Sequence, residues 1–217
     1  MYASGLGDEG ASEYTTILQG YHLLDTGYRN LVEQYRTAKI LSHTTFILPT
    51  APYNDEAMTR AWYTPSSSPT SEGELDSLDS YQPALKAIDD WIEEEHSRGI
   101  PHGNIIVAGF SQGAACSLLY AITRQVRLGG VAAMMGYLPM RSQIEGLVQA
   151  KEKRTNNLFI ANGSTDMLIR LTTAEKSVEV LERLGFDVIF LPFPELGHVL
   201  NGLTIMALGR FIGDSVA

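Results

Sequence analysis

Residues 104–122 read NIIVAGFSQGAACSLLYAI and combine a strand pattern, a sharp turn and a helix pattern. The run 104–110 is nearly continuous in apolar residues, which is typical of a parallel strand buried on both faces. The turn after it is G-x-S-x-G with Ser111 at its centre. This pattern holds a serine on a strained strand-to-helix turn with its hydroxyl exposed, and the helix N-terminus favours developing negative charge. The stretch therefore predicts that Ser111 is a nucleophile.

A serine nucleophile needs a base and an acid that orients the base, and in sheets of this kind the chain order is serine, acid, histidine. His198, in PELGHVLNG, is the one histidine after Ser111, and it follows the last apolar run. Asp166, in LFIANGSTDMLI, follows the run before that. Asp187 stands at the amino end of a run, and Glu195 is too near His198 in sequence. The pattern favours Asp166 as the acid and His198 as the base.

Short apolar runs alternate with amphipathic helical patterns along the chain. The runs that predict buried strands are 44–49, 104–110, 130–136, 158–163 and 187–193. A helix between the first two is expected to begin at a capping box formed by Ser71 and Glu74. This alternation predicts one α/β domain over residues 1–217, with a mostly parallel central sheet and helices on both faces. Its chemistry is expected at the carboxyl ends of the strands.

Composition excludes several function classes. The chain has 217 residues and a formal net charge of -9, which argues against nucleic-acid binding because phosphates require clustered basic residues. Its single cysteine, Cys116, lies in an apolar stretch and is expected to be a buried hydrophobe. We find neither a signal peptide nor the run of about 18 apolar residues that a spanning helix needs. The expectation is a cytoplasmic protein without stable membrane insertion.

Several motifs together resemble the acyl-protein thioesterase and phospholipase/carboxylesterase family of α/β-hydrolases. They are the stretch around Ser111, GLGD near the N-terminus, ILPTAP, GYLPM, NGSTDMLI and ELGH. The resemblance implies a catalytic triad of Ser111, Asp166 and His198, with an oxyanion hole made by the backbone N–H groups of Leu6 and Gln112. It implies no metal and no cofactor. The substrates that it implies are small-molecule or protein-linked acyl groups: thioesters on protein cysteines, lysophospholipids and small esters.

The sequence departs from the family pattern at several positions. Ser4 stands where the family has the histidine of HGLGD, and Met167 and Arg170 stand where it often has prolines. Ala114 replaces a common third glycine of the nucleophile turn. The segment 9–43 is longer than expected and includes an extra apolar piece, YTTILQGYHLL. These departures leave the triad in place and bear on the substrate.

Apolar residues near the strand ends are candidates for binding an acyl chain, namely Trp62, Met135, Tyr137 and Leu168. Two alternatives to a thioesterase or carboxylesterase follow from the departures. One is a thioesterase that releases an acyl or polyketide chain from an acyl carrier protein, by hydrolysis or lactonisation. The other is a non-catalytic binding protein with a hydrolase fold.

The resemblance also implies that a strand leading into GLGD lies beside the strand of Ser111. Only residues 1–4 precede that turn. We therefore expect residues 1–4 to pair as a short strand and the usual leading edge strands to be truncated or absent. The resulting gap beside the nucleophile strand would be filled by a second chain in an oligomer, or the recorded start lies too late.

Overall fold

A central β-sheet is the framework of the protein. The computed structural model describes residues 2–3, 14–20, 26–39, 41–64, 73–124, 126–148 and 157–215. The described strands are β1 (Tyr2–Ala3), β2 (Tyr14–Gly20), β3 (Thr44–Ile47), β4 (Tyr53–Asn54), β5 (Thr59–Arg60), β6 (Ile105–Phe110), β7 (Gly130–Met134), β8 (Leu158–Gly163) and β9 (Val188–Phe193). In the described part of the chain, β4 and β5 form a small hairpin, and the others form a sheet in the order β1-β3-β2-β6-β7-β8-β9.

The six strands β3, β2, β6, β7, β8 and β9 are parallel to one another, and the edge strand β1 is antiparallel to β3. Parallel strands end at the same edge, so the loops after β6, β8 and β9 all leave the sheet at that edge. The predicted α/β fold with a mostly parallel sheet is confirmed.

Helices cover both faces of the sheet. The described helices are α1 (Thr26–Thr37), α2 (Leu78–Ser97), α3 (Gln112–Thr123), α4 (Ile144–Leu147), α5 (Leu171–Arg183) and α6 (Gly202–Ser215). Alternate strand residues point to opposite faces, so Val107 belongs to an apolar core that includes residues of α2, α3 and α5. Ala108 belongs to a second core that includes residues of α1 and α6. Of these helices, none is both long and apolar enough to cross a bilayer.

Helix α2 begins later than the sequence predicts. Ser77 is its N-cap residue, and its hydroxyl oxygen accepts a hydrogen bond from the backbone N–H of Asp79 at 3.3 Å. The predicted start at a capping box of Ser71 and Glu74 is wrong, because α2 begins at Leu78. Ser71 lies outside the described residues, and Glu74 accepts hydrogen bonds from Ser142 and pairs with Arg141.

The N-terminal prediction is confirmed in one respect and wrong in another. Tyr2 and Ala3 do pair as a short strand, opposite Ile47 and Phe46 of β3. The position beside β6, however, is occupied by β2, which pairs with β6 from Thr15 opposite Ile105 to Gly20 opposite Phe110. The extra apolar piece YTTILQGYHLL thus supplies a strand that the sequence analysis did not assign. No gap beside the nucleophile strand remains to be filled.

Candidate active site

Ser111 lies at the junction of β6 and α3, where it is the N-cap residue of α3. Its backbone has φ 56° and ψ -117°, a conformation that non-glycine residues adopt only under strain. The Ser111 N–H donates to the carbonyl oxygen of Met134 at 2.9 Å, which fixes the turn to the neighbouring strand. Close packing also requires glycine at 109, since a Cβ there would lie 2.2 Å from the backbone of Gly113. The sequence folds locally as the G-x-S-x-G pattern predicts.

The side chains of Ser111, His198 and Asp166 form a continuous hydrogen-bonded row. His198 Nε2 lies 3.0 Å from Ser111 Oγ, and His198 Nδ1 lies 2.7 Å from Asp166 Oδ2. The carboxylate can only accept, so its partner Nδ1 carries a proton and Nε2 is left to accept the serine proton. The Asp166 side chain is fully buried, and that of His198 is 15% exposed. The three residues that sequence order selected are therefore brought together in space.

The orientation of the Asp166 carboxylate is fixed by its own loop. Its Oδ1 accepts hydrogen bonds from the backbone N–H groups of Leu168 at 2.9 Å and Ile169 at 2.8 Å. Because Oδ1 is occupied in this way, Oδ2 faces His198. The N–H of Met167 is not among these donors, and Arg170 has φ -59°, an angle that proline also adopts. The replacement of the two family prolines therefore leaves the acid's support intact.

The loops that carry the acid and the base are joined to each other. The N–H of Thr165 donates to the carbonyl of Leu196 at 3.0 Å, and the N–H of Glu195 donates to Ser164 Oγ at 2.9 Å. A Cβ at position 163 would lie 2.1 Å from the Leu196 carbonyl oxygen, so this approach requires Gly163. Gly163 and Ser164 support the site but are not among the residues predicted from the sequence. Their place directly after a strand and before Asp166 was the available signal.

The backbone N–H groups of Gln112 and Leu6 are the two predicted oxyanion donors. Gln112 is the first residue of α3, so its backbone N–H has no acceptor within the helix. It directly follows Ser111, as an oxyanion donor of this fold should. Leu6 lies outside the described residues.

The four apolar candidates for substrate binding occupy different environments. Leu168 is 72% exposed beside Asp166, and Tyr137 is half-buried with its hydroxyl 3.3 Å from that of Tyr63. Trp62 is 5% exposed, and Met135 is fully buried in the core. Met135 packs in the apolar core of the α1 and α6 side of the sheet, and acyl-chain binding by these four residues stays a prediction.

Cys116 and Tyr137 keep their protons in this environment. Burial raises the pKa of the Cys116 thiol well above its ordinary value, so the thiol is not a second nucleophile. Burial likewise raises the pKa of Tyr137, so its hydroxyl stays able to donate a hydrogen bond. Within the described residues, no cluster of three or more His, Cys, Asp or Glu side chains could hold a metal ion.

Comparison with known proteins places these features in a family. The family model described as Phospholipase/Carboxylesterase matches residues 5–215. Acyl-protein thioesterase 1 of Neurospora crassa is 29% identical over 209 residues, which cover 87% of this chain and 81% of that protein. Carboxylesterase SOBER1 of Arabidopsis thaliana is 27% identical over 205 residues, which cover 91% of this chain and 89% of that protein.

Solved structures show the same fold. The crystal structure of Arabidopsis thaliana SOBER1 has a TM-score of 0.82 at 22% identity, with 94% of this chain and 99% of that chain covered. The crystal structure of Zea mays acyl-protein thioesterase 2 has a TM-score of 0.79 at 20% identity, with 100% of this chain and 98% of that chain covered. At these identities the likeness concerns the α/β-hydrolase fold alone.

Proposed function

The chain belongs to the phospholipase/carboxylesterase family of hydrolases, and from this premise we propose that it cleaves acyl thioesters or carboxylic esters with Ser111 as nucleophile. The observation that carries the proposal is the row of hydrogen bonds from Ser111 Oγ through His198 to Asp166. The strained backbone of Ser111 supports it, since such strain persists where function requires it. We assign the roles of nucleophile, base and orienting acid to these three residues in that order.

The proposed reaction is acyl transfer in two steps. Ser111 Oγ attacks the acyl carbonyl while His198 Nε2 takes its proton, and Asp166 stabilises the imidazolium that forms. His198 then gives the proton to the leaving thiol or alcohol as the carbon–sulfur or carbon–oxygen bond breaks. In the second step His198 takes a proton from water, whose oxygen attacks the acyl-enzyme. The attack forms a tetrahedral intermediate. Its collapse releases the carboxylic acid, and His198 returns the proton to Ser111 Oγ.

Negative charge develops on the acyl oxygen in both steps. The backbone N–H of Gln112 is proposed to stabilise it, and the loss of one such donor typically lowers kcat about 10²–10³-fold. The family resemblance implies Leu6 as the second donor, and that assignment stays a prediction.

The relatives' names suggest the substrate class. Acyl-protein thioesterase and carboxylesterase names among them support acyl groups on proteins and small esters as substrates of this chain. Release of an acyl chain from a carrier protein is the alternative. Two sequence features suggest this alternative, and one of them is the long segment 9–43. That feature supports it less strongly because part of the segment forms β2. A higher kcat/KM for a carrier-bound acyl thioester than for an acylated peptide would favour the carrier.

Other partners and the location remain predictions. The net charge of -9 supports the absence of nucleic-acid binding. The predictions of a cytoplasmic location and of an oligomer rest on the sequence alone. Cell fractionation and the molar mass in solution would test them.

Labelling with a fluorophosphonate probe, which reacts with activated serines, tests the proposed function. The wild type should be labelled and Ser111→Ala should not. Ser142→Ala, which removes an exposed serine hydroxyl far along the chain from the turn, should label like the wild type. A folded wild type that does not react would contradict the proposal and favour the non-catalytic binding protein.

A further inference from the structure

The side chain of Gln112 joins the nucleophile turn to the segment that carries Trp62 and Tyr63. Its Oε1 accepts a hydrogen bond from the backbone N–H of Trp62 at 2.6 Å, and its Nε2 donates to the carbonyl oxygen of Tyr63 at 2.8 Å. Gln112 is 8% exposed, so these bonds are shielded from water. We name the two bonds the Gln112 clasp. A carboxamide suits this place because it offers both an acceptor and a donor.

The segment on the other side of the clasp is itself firmly held. The N–H of Ala61 donates to the carbonyl of Pro52 at 3.0 Å. The Trp62 ring packs edge-on against Trp91 with centroids 5.8 Å apart, and the Tyr63 ring stacks on another tyrosine at 4.0 Å. The clasp therefore ties Gln112 to a rigid part of the molecule.

The start of α3 has need of such a support. The N–H groups in the first turn of a helix have no acceptors within the helix, so the first residue is held from one side only. Here that residue also follows Ser111, whose backbone conformation is strained. A side chain anchored outside the helix limits how far the first peptide unit can rotate.

We propose that Gln112 is a positioning residue, whose clasp holds its own backbone N–H in the direction that stabilises the oxyanion. This inference rests on the proposed function, since it requires an oxyanion to form at Ser111. Transition-state stabilisation by a fixed donor depends on preorganisation to within about 0.5 Å, whereas binding of the neutral substrate depends on it much less. The clasp should therefore act on kcat.

Gln112→Met tests the inference because it keeps the length of the side chain and the backbone N–H and removes both clasp bonds. With a short-chain ester, kcat should fall about 10- to 100-fold, a part of the effect of deleting an oxyanion donor. KM should stay within about threefold, since ground-state binding is spared. The rate of fluorophosphonate labelling should fall by the same factor as kcat. Gln112→Asn keeps the carboxamide, but its side chain is one methylene shorter and should not reach both clasp partners. Its kcat, KM and labelling rate should therefore change as those of Gln112→Met do.

Tyr120→Phe is the matched control on the same helix. It removes one partly buried hydrogen bond, from the Tyr120 hydroxyl to Asp89 at 2.9 Å, far from the turn. The kcat of Tyr120→Phe should stay within about twofold of the wild-type value even if its melting temperature falls, because the Gln112 backbone N–H stays in place.

The possible outcomes separate this inference from the function on which it rests. A wild type that is not labelled contradicts both. A labelled wild type together with a folded Gln112→Met or Gln112→Asn that keeps its kcat contradicts the clasp alone. A variant that raises KM and leaves kcat unchanged also contradicts it, since Gln112 would then serve substrate binding.

Discussion

At the scale of the residue, Asp166 is held by more than its bond to His198. Its Oδ1 accepts two backbone N–H bonds, and its Oδ2 faces the imidazole. An asparagine at 166 could keep both backbone bonds through its amide oxygen. Its NH₂ group would then face His198 Nδ1, which would have to accept, and the ring proton would move to Nε2. In that tautomer His198 cannot take the proton of Ser111.

Asp166→Asn is therefore expected to lower kcat about 10⁴-fold, the order of magnitude known for this substitution in another serine-hydrolase triad. The fold should persist, because the side-chain volume and the backbone bonds are kept. Steady-state kinetics together with circular dichroism measure both. Asp76→Asn, at a buried carboxylate that accepts the Tyr81 hydroxyl, is the control and should keep most of the activity. Retention of a tenth of the wild-type kcat by Asp166→Asn would argue against the assigned role.

The residues of the triad could be chosen from the sequence, whereas the Gln112 clasp could not. Ser111, Asp166 and His198 each follow a recognisable apolar run, and chain order assigns them. The clasp instead joins Gln112 to residues about fifty positions earlier, and that distance in sequence carries no local signal. The burial of Met135 has no local signal either, because burial depends on which helices cover the strand.

At the scale of the element, the packing of β6 against α3 depends on an absent side chain. A Cβ at position 109 would meet the carbonyl carbon and oxygen of Gly113 at 2.2 Å and the nitrogen of Ala114 at 2.5 Å. These are backbone atoms and cannot swing aside. Ala114, which replaces a family glycine, is accommodated by Gly136, where a Cβ would lie 2.3 Å from that of Ala114. The chain has thus kept the close approach by leaving the opposite position without a side chain.

Gly109→Ala should lower the free energy of unfolding by about 1–3 kcal/mol or more, the usual effect of overpacking. For a chain of this length each kcal/mol corresponds to about 2–4 °C in Tm. Thermal unfolding followed by circular dichroism gives the shift. Gly103→Ala is the control, since a Cβ there meets nothing within 4 Å, and its Tm should stay near that of the wild type. Equal melting temperatures for Gly109→Ala and Gly103→Ala would mean that β6 and α3 can move apart without loss of stability.

Strands that lie in long apolar runs were predictable from the sequence, whereas strand β2 and the start of helix α2 were not. Strand β2 includes the sequence YTTILQG, which mixes β-branched and polar residues, and its place is set by pairing with β3 and β6. The start of α2 was placed at a capping box because the spacing of Ser71 and Glu74 satisfied the rule. Tertiary contacts of Glu74 with Arg141 and Ser142 outweigh that local preference.

At the scale of the whole molecule, the sheet separates two apolar cores. One contains residues of α2, α3 and α5, and the other contains residues of α1 and α6. The β6 residues Ile105 and Val107 belong to the first core, and Ile106 and Ala108 belong to the second. Each core is therefore bounded by the same strands, and loss of either would expose the sheet that supports the other.

Ile88→Ala in the first core and Leu208→Ala in the second should each lower the free energy of unfolding by about 2–5 kcal/mol. Because the two residues belong to different cores, the double variant should show the sum to within about 0.5 kcal/mol. A single unfolding transition is expected throughout, measured by urea denaturation. Leu203→Ala, 65% exposed on the same helix as Leu208, is the control and should change stability by less than about 0.5 kcal/mol. Two separate transitions would show that the cores unfold independently.

The alternation of runs and helices was enough to predict the α/β class and the helices on both faces. It did not reveal the strand order, because the order depends on crossovers between elements distant in sequence. The prediction of a gap beside β6 failed on this point: it counted the residues before GLGD and left out a later segment that could take the same position.

The backbone of Ser111, with its positive φ, sets stability and activity against each other. Glycine adopts this conformation freely, whereas any side chain there is strained by about 1–3 kcal/mol. Ser111→Gly should therefore be more stable than Ser111→Ala by about 1 kcal/mol, after the larger entropy of unfolded glycine is allowed for. Both variants lack the hydroxyl and should be inactive, so equal stability of the two would mean that the turn holds no strain. If the difference is found, a lineage selected for stability alone would exchange this serine for glycine, and only selection for catalysis retains it.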